Sequence, residues 1–138
     1  MKLEVSSGPL PRDACLDLLR GAGLGRIAVT DAALPLILPV QYQLHGEQIL
    51  FCCGSRAGQV FEPIEQVVAF EAGGIEPSSF AGWTVQVRGV AEPHDEPPRS
   101  SFEHCVQRRG ASELIFSVLD TNELSGYFYE LCGDRPLA

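Results

Sequence analysis

Two rhythms of apolar and polar positions run along this chain. Between residues 11 and 23, Cys15, Leu18, Leu19 and Ala22 recur at intervals of three and four, with Asp13, Asp17 and Arg20 between them. That spacing puts the apolar side chains on one stripe of a helix. Pro11 suits its first turn, where a missing N–H costs nothing, and Gly21 and Gly23 suit its end. After residue 24 the pattern changes to strands over 25–30, 34–44 and 48–53, separated by turns at Asp31-Ala32-Ala33 and His45-Gly46-Glu47. Two consecutive hairpins are the simplest reading. Pro35 and Pro39 both fall in the middle strand, and proline donates nothing to a ladder, so this strand is expected to be an edge or to bulge there. Backbone groups near Pro39 are then available to something other than a neighbouring strand.

Further along, Ala57, Val60, Phe61 and Ile64 predict a short helix over 57–64, against the opposing tendencies of Gly58 and Pro63. Strands are expected over 67–72 and 83–92, a polar helix over 100–109, and strands over 114–119 and 127–131. Many short strands joined by tight turns, without long helices between them, predict an antiparallel barrel. The expected fold is mainly β, a six- to seven-stranded barrel with three short helices. It fills a single domain over residues 1–138, with no internal repeat or linker.

Composition narrows the function. Apolar residues make up 45% of the chain and charged residues 20%, enough for a packed core and unlike a disordered chain. The net charge of −8, with Lys2 the only lysine, opposes general binding to nucleic acid or anionic lipid. No apolar run is long enough to span a bilayer and Met1-Lys2-Leu3-Glu4 lacks the form of a signal peptide, so a cytoplasmic protein is expected. The cysteines at 15, 52, 53, 105 and 132 are odd in number and irregular in spacing, which suits reduced thiols. His45, His94 and His104 stand apart without metal-ligand spacing, and no metal site is expected. Cys52 and Cys53 are adjacent on a strand and point to opposite faces, so they do not converge on an ion. A nucleophile elbow of the GxSxG kind is absent.

One segment has the chemistry of a binding site. Gly54-Ser55-Arg56 lies between a predicted strand and a predicted helix, where N–H groups, a hydroxyl and a guanidinium can meet a phosphate. A plain turn also has this composition.

Several stretches resemble the pyridoxamine 5′-phosphate oxidase-like family of FMN-binding split barrels, in particular its short nitroimidazole-resistance-like members. Arg12-Asp13-Ala14-Cys15-Leu16-Asp17-Leu18-Leu19 followed by Leu24-Gly25-Arg26-Ile27-Ala28-Val29-Thr30 is similar to the family's opening helix and first strand. Leu34-Pro35-Leu36-Ile37-Leu38-Pro39-Val40-Gln41-Tyr42 resembles its proline–valine–polar–tyrosine strand. Val67-Val68-Ala69-Phe70-Glu71 and the strand opening Gly82-Trp83-Thr84-Val85 resemble two later strands.

The resemblance implies a homodimer with FMN in a groove between protomers. The flavin ring would lie against the backbone of Leu38, Pro39, Val40, Gln41 and Tyr42. Its phosphate would lie near Cys53, Gly54, Ser55 and Arg56, and Trp83 would line the pocket. It further implies a flavin-dependent oxidoreductase acting on a small molecule, in which the cofactor carries the chemistry. No catalytic side chain is assigned.

The chain also departs from the family. A gapless alignment puts Gly58 where the family has a phosphate-binding lysine. A loop shorter by two residues puts Arg56 there and keeps Ala57 and Val60 on an apolar helix face. Cys52 and Cys53 replace a common arginine and threonine. The arginine-rich substrate site of true pyridoxamine phosphate oxidases is not recognisable, and no histidine matches the position of a haem ligand. Two alternatives accompany the flavin reading: a reductase using the deazaflavin F420, and a non-catalytic split barrel serving as a binding module.

Overall fold

The computed structural model describes residues 3–21, 23–53, 61–76, 81–95 and 114–133. Eight strands and one helix follow in the order β1 (Leu3–Pro9), α1 (Arg12–Arg20), β2 (Leu24–Asp31), β3 (Leu34–His45), β4 (Gln48–Cys53), β5 (Gln66–Glu76), β6 (Ala81–His94), β7 (Ile115–Asp120) and β8 (Glu123–Gly133). Every pairing is antiparallel, in the order β1-β8-β6-β5-β2-β3-β4-β7. A further pairing of β6 with β7 closes six of these strands into a barrel.

β6 makes this closure possible because it divides one of its edges between two neighbours. Ala81 to Arg88 pair with β8, and Glu92 to His94 pair with β7. Along its other edge β6 pairs with β5 from Ala81 to Ala91.

Alternation along the strands builds the core. Ile27 and Val29, Val40 and Tyr42, Ile49, Phe51 and Cys53, Val68, Phe70 and Ala72, and Val85, Val87 and Ala91 all point inward, and all are buried. Each full burial of a large apolar side chain contributes roughly 1.5–3 kcal/mol. Helix α1 adds Cys15 and Leu19 to this core, and packs against β8, β3 and β6. Its end is Gly21, whose N–H donates to Leu18 O at 3.2 Å. The buried thiol of Cys15 lies directly over Gly126 of β8, where any Cβ would collide with its Sγ. Glycine is required at 126 for this close approach.

Both predicted hairpins are present. The β2–β3 turn holds Ala32 and Ala33 at φ of 49° and 66°, the left-handed pair of a two-residue turn. Two expectations need correction. Residues 61–64 form bends and not the end of a helix, with Phe61 buried and Ile64 exposed; Pro63 lacks the N–H a helix would use. The barrel itself has six strands, but the described residues hold eight in all: β1 was not anticipated, and β8 begins four residues earlier than expected. Of the two expectations for β3, an edge or a bulge, the described residues fit the edge: its register with β2 is continuous from Leu24↔Gln41 to Asp31↔Leu34, without a bulge. The expected helix over 100–109 and residues 57–60 lie outside the described residues.

Candidate functional site

The prolines of β3 leave their mark at an open edge. β3 pairs with β2 from Leu34 to Gln41, and with β4 only from Gln41↔Cys52 to His45↔Gln48. Residues 34–40 therefore have a neighbour on one side, and among the described residues none on the other. Tyr42 N–H donates to Gly23 O at 3.0 Å, which sets the phase of the ladder. In an antiparallel pair the main-chain groups of alternate residues point the same way. Residues 36, 38 and 40 thus spend their N–H and C=O groups on β2, while 35, 37 and 39 direct theirs outward. Pro35 and Pro39 occupy two of these outward positions. They cost the β2 ladder nothing there, which is why the strand tolerates them.

The same alternation sorts the side chains. Val40 and Tyr42 are buried, Leu36, Leu38 and Gln41 are half-buried, and Pro35, Ile37 and Pro39 are exposed. Beside Pro39 on β2 stands Arg26, whose Nη2 donates to Glu71 Oε1 at 3.0 Å. Gln86 Nε2 donates to Glu71 Oε2 at 2.9 Å. The Gln86 hydrogen bond and then Arg26 hold the Glu71 carboxyl below its ordinary range, so this outer face carries a charge pair at neutral pH.

Beneath the edge, Tyr42 locks β3 to α1. Its hydroxyl donates to Leu19 O at 3.0 Å, and its ring meets Phe70 edge-on at 5.0 Å. Room for Phe70 depends on Gly25, where a Cβ would sit 2.7 Å from the Phe70 ring. Burial raises the Tyr42 phenol to about 12. Tyr42 thus meets its surroundings as a neutral, hydrogen-bonded core residue.

The other residues singled out from sequence are dispersed. Cys53 is buried in the main core, whereas Cys52 packs with Leu50 and Phe116 in a second cluster on the opposite face of β4. β4 ends at Cys53, one residue past its pair with Gln41. Gly54, Ser55 and Arg56 lie outside the described residues. Trp83 is half-buried on β6, three strand-to-strand steps from β3, or roughly 14 Å. It lines a shallow cleft of about 330 Å³ with Gly74, Ile75, Ala81, Gly82 and Phe128. Among the described residues, the cleft that Trp83 lines does not include the β3 edge. His45 and His94 are exposed, and no group of metal-ligating side chains gathers among the described residues.

Sequence reasoning overlooked Ile37 and Arg26. Both were legible: a two-residue turn at Ala32-Ala33 puts position 26 opposite 39, and the strand's period of two places 37 in phase with the two prolines.

A family model described as pyridoxamine 5′-phosphate oxidase matches residues 11–123. The uncharacterized protein Rv0080 of Mycobacterium tuberculosis is 34% identical over 93 residues, 64% of this chain and 61% of that protein. The match thus spans less than two thirds of that relative's length. The structure of the FAD-binding protein from Mycobacterium smegmatis superposes with a TM-score of 0.66 at 25% identity, covering 88% of this chain and 98% of that one. An FAD-binding protein from Mesorhizobium loti superposes with a TM-score of 0.65 at 15% identity, covering 94% and 99%, a likeness of fold.

Proposed function

Because this chain belongs to the pyridoxamine 5′-phosphate oxidase family and folds as a split barrel, we propose that it binds a flavin, FMN, and acts as an oxidoreductase on a small molecule. The observation that carries this reading is the edge of β3 over residues 34–40, which among the described residues pairs only with β2. An edge with free main-chain groups and exposed apolar side chains suits a flat heterocycle, which needs apolar contact and a few polar anchors. When bound, the flavin supplies electron and hydride transfer. The chain's own residues bind and orient it: the β3 edge takes the ring, and Gly54, Ser55 and Arg56, next after β4, take the phosphate.

A homodimer completes the reading. Leu24, Val67 and Ile75 are 67%, 79% and 78% exposed on outward positions of β2 and β5, apolar surface of the kind that pairing would hide. A second copy would supply a further wall beside β3. Among the described residues no helix is long and apolar enough to cross a membrane.

Purified protein titrated with FMN, FAD and F420 tests the proposal. The expected result is saturable FMN binding at micromolar concentration, with absorption at about 450 nm from the cofactor's chromophore. Arg56→Ala is expected to weaken that binding by about 1.5–3 kcal/mol, the value of a hydrogen bond to a charged group. No binding of any of the three would reject the reading. One observation favours the alternative of a binding module without catalysis. Cys52 and Cys53, where relatives carry arginine and threonine, are both committed to packing clusters and bring no cation to the site. The same titration separates the two readings.

A further inference from the structure

β6 closes the barrel, and its closing end is held more lightly than the rest of the strand. From Ala81 to Ala91 it lies against β5, and from Ala81 to Arg88 its other edge lies against β8. On that second edge Gly89, Val90 and Ala91 pair with neither β8 nor β7. Glu92, Pro93 and His94 then pair with Val118, Ser117 and Phe116 of β7, and among the described residues no other strand lies beside them. β7, in contrast, is secured along its far edge by a ladder with β4 that runs from Gln48↔Asp120 to Cys53↔Ile115.

The side chains sharpen this difference. Glu92, Pro93 and His94 are all exposed, so lifting them from β7 gives up little apolar burial of their own. The strand is anchored just before them: Ala91 is fully buried, and the bare Cα of Gly89 lets Leu119 pack close, where a Cβ would lie 3.2 Å from Leu119 Cδ1. Pro93 has no N–H to give. The main-chain bonds of the seam are therefore those of Glu92 with Val118 and of His94 with Phe116. Opposite Pro93 stands Ser117, 1% exposed, whose Oγ has no hydrogen-bond partner. A buried hydroxyl without a partner destabilises the closed seam, and water satisfies it once the seam parts.

We propose that Glu92, Pro93 and His94 form a detachable strap. It parts from β7 and closes again while the remainder of the fold stays intact, opening the barrel along the β6–β7 seam and admitting water to Ser117. Ala91 marks the fixed end of the strap, and the Ser117 hydroxyl biases it toward the open form.

Native-state amide exchange, followed by NMR on the full chain across low concentrations of denaturant, tests this. Alternate residues of β7 face different neighbours: the Val118 amide bonds to β6, and those of Ser117 and Leu119 to β4. The amides of Glu92 and Val118 are expected to exchange roughly a hundredfold faster than those of Ser117 and Leu119. Their rates should be nearly independent of denaturant, because parting of the strap exposes little surface. Ser117→Ala removes the unpartnered hydroxyl and is expected to slow exchange at Glu92 and Val118 roughly fivefold. Glu92 and Val118 amides that exchange no faster than Ser117 and Leu119, with the same dependence on denaturant, overturn the proposal. Exchange at Val118 unaltered by Ser117→Ala also overturns it, since the bias would then lie elsewhere.

Discussion

At the scale of single residues, the structure spends stability in a few identifiable places. Ala32 and Ala33 both adopt left-handed backbone angles, which cost an L-residue with a Cβ about 1–2 kcal/mol each. Ala33→Gly is therefore expected to raise the midpoint of thermal unfolding, with a gain of up to about 1 kcal/mol after glycine's own entropy cost. Gly126→Ala should act in the opposite direction. Its new methyl would occupy the position of the Cys15 Sγ, and overpacking of this kind costs about 1–3 kcal/mol in a denaturant titration. Tyr42 makes stability depend on alkaline pH. Its folded value, about 12, lies above the ordinary 10.0, so folding favours the neutral phenol. The contribution is complete below pH 10 and is lost as pH rises through 12, on the order of 2–3 kcal/mol. Tyr42→Phe should remove that part of the pH dependence from unfolding curves recorded between these limits.

One cluster of polar contacts between elements joins three segments. Arg12, at the start of α1, donates to Thr121 O at 2.6 Å, to Thr121 Oγ1 at 2.8 Å and to Glu47 at 3.3 Å. The Thr121 hydroxyl in turn donates to Glu47 O at 2.6 Å. The β3–β4 turn, the β7–β8 connection and the helix thus meet at one guanidinium. Arg12→Met keeps the aliphatic stem and is expected to cost about 1–2 kcal/mol, reduced from the charged-bond range because the side chain is partly exposed; chemical denaturation measures it.

The sequence revealed most clearly those elements whose pattern is local. Helix α1 and both hairpins followed from three-four spacing and turn residues, because neighbours in the chain decide them. β1 was not legible: Leu3 and Val5 are its only large apolar residues, and Gly8 and Pro9 close it, so β8 rather than its own pattern makes it a strand. The candidate site was half legible for the same reason. Pro39 signalled an edge, but which residues face outward depends on the pairing with β2, and the distance from Trp83 depends on the order of strands in the barrel.

At the scale of the whole molecule, a net charge of −8 bears on how the proposed anionic cofactor and the proposed second protomer would approach. Like charges repel until salt screens them. Sedimentation equilibrium is accordingly expected to show a dimer whose dissociation constant falls as salt rises from low to physiological concentration. A monomer at every salt concentration would contradict the paired form.

The divided edge of β6 also bears on how the protein is made. β4 leaves the ribosome early, yet its second neighbour, β7, begins only at Ile115. Until then the nascent chain exposes two sheet margins, one on β4 and one along the edge of β6 that later pairs with β7 and β8, both able to recruit other chains. The edge of β3 proposed to take the ligand is synthesised within the first third of the chain, but the cylinder that holds it is completed by one of the last strands to emerge. Translation through that interval is the period of greatest risk for aggregation, and the point at which a chaperone has most to protect.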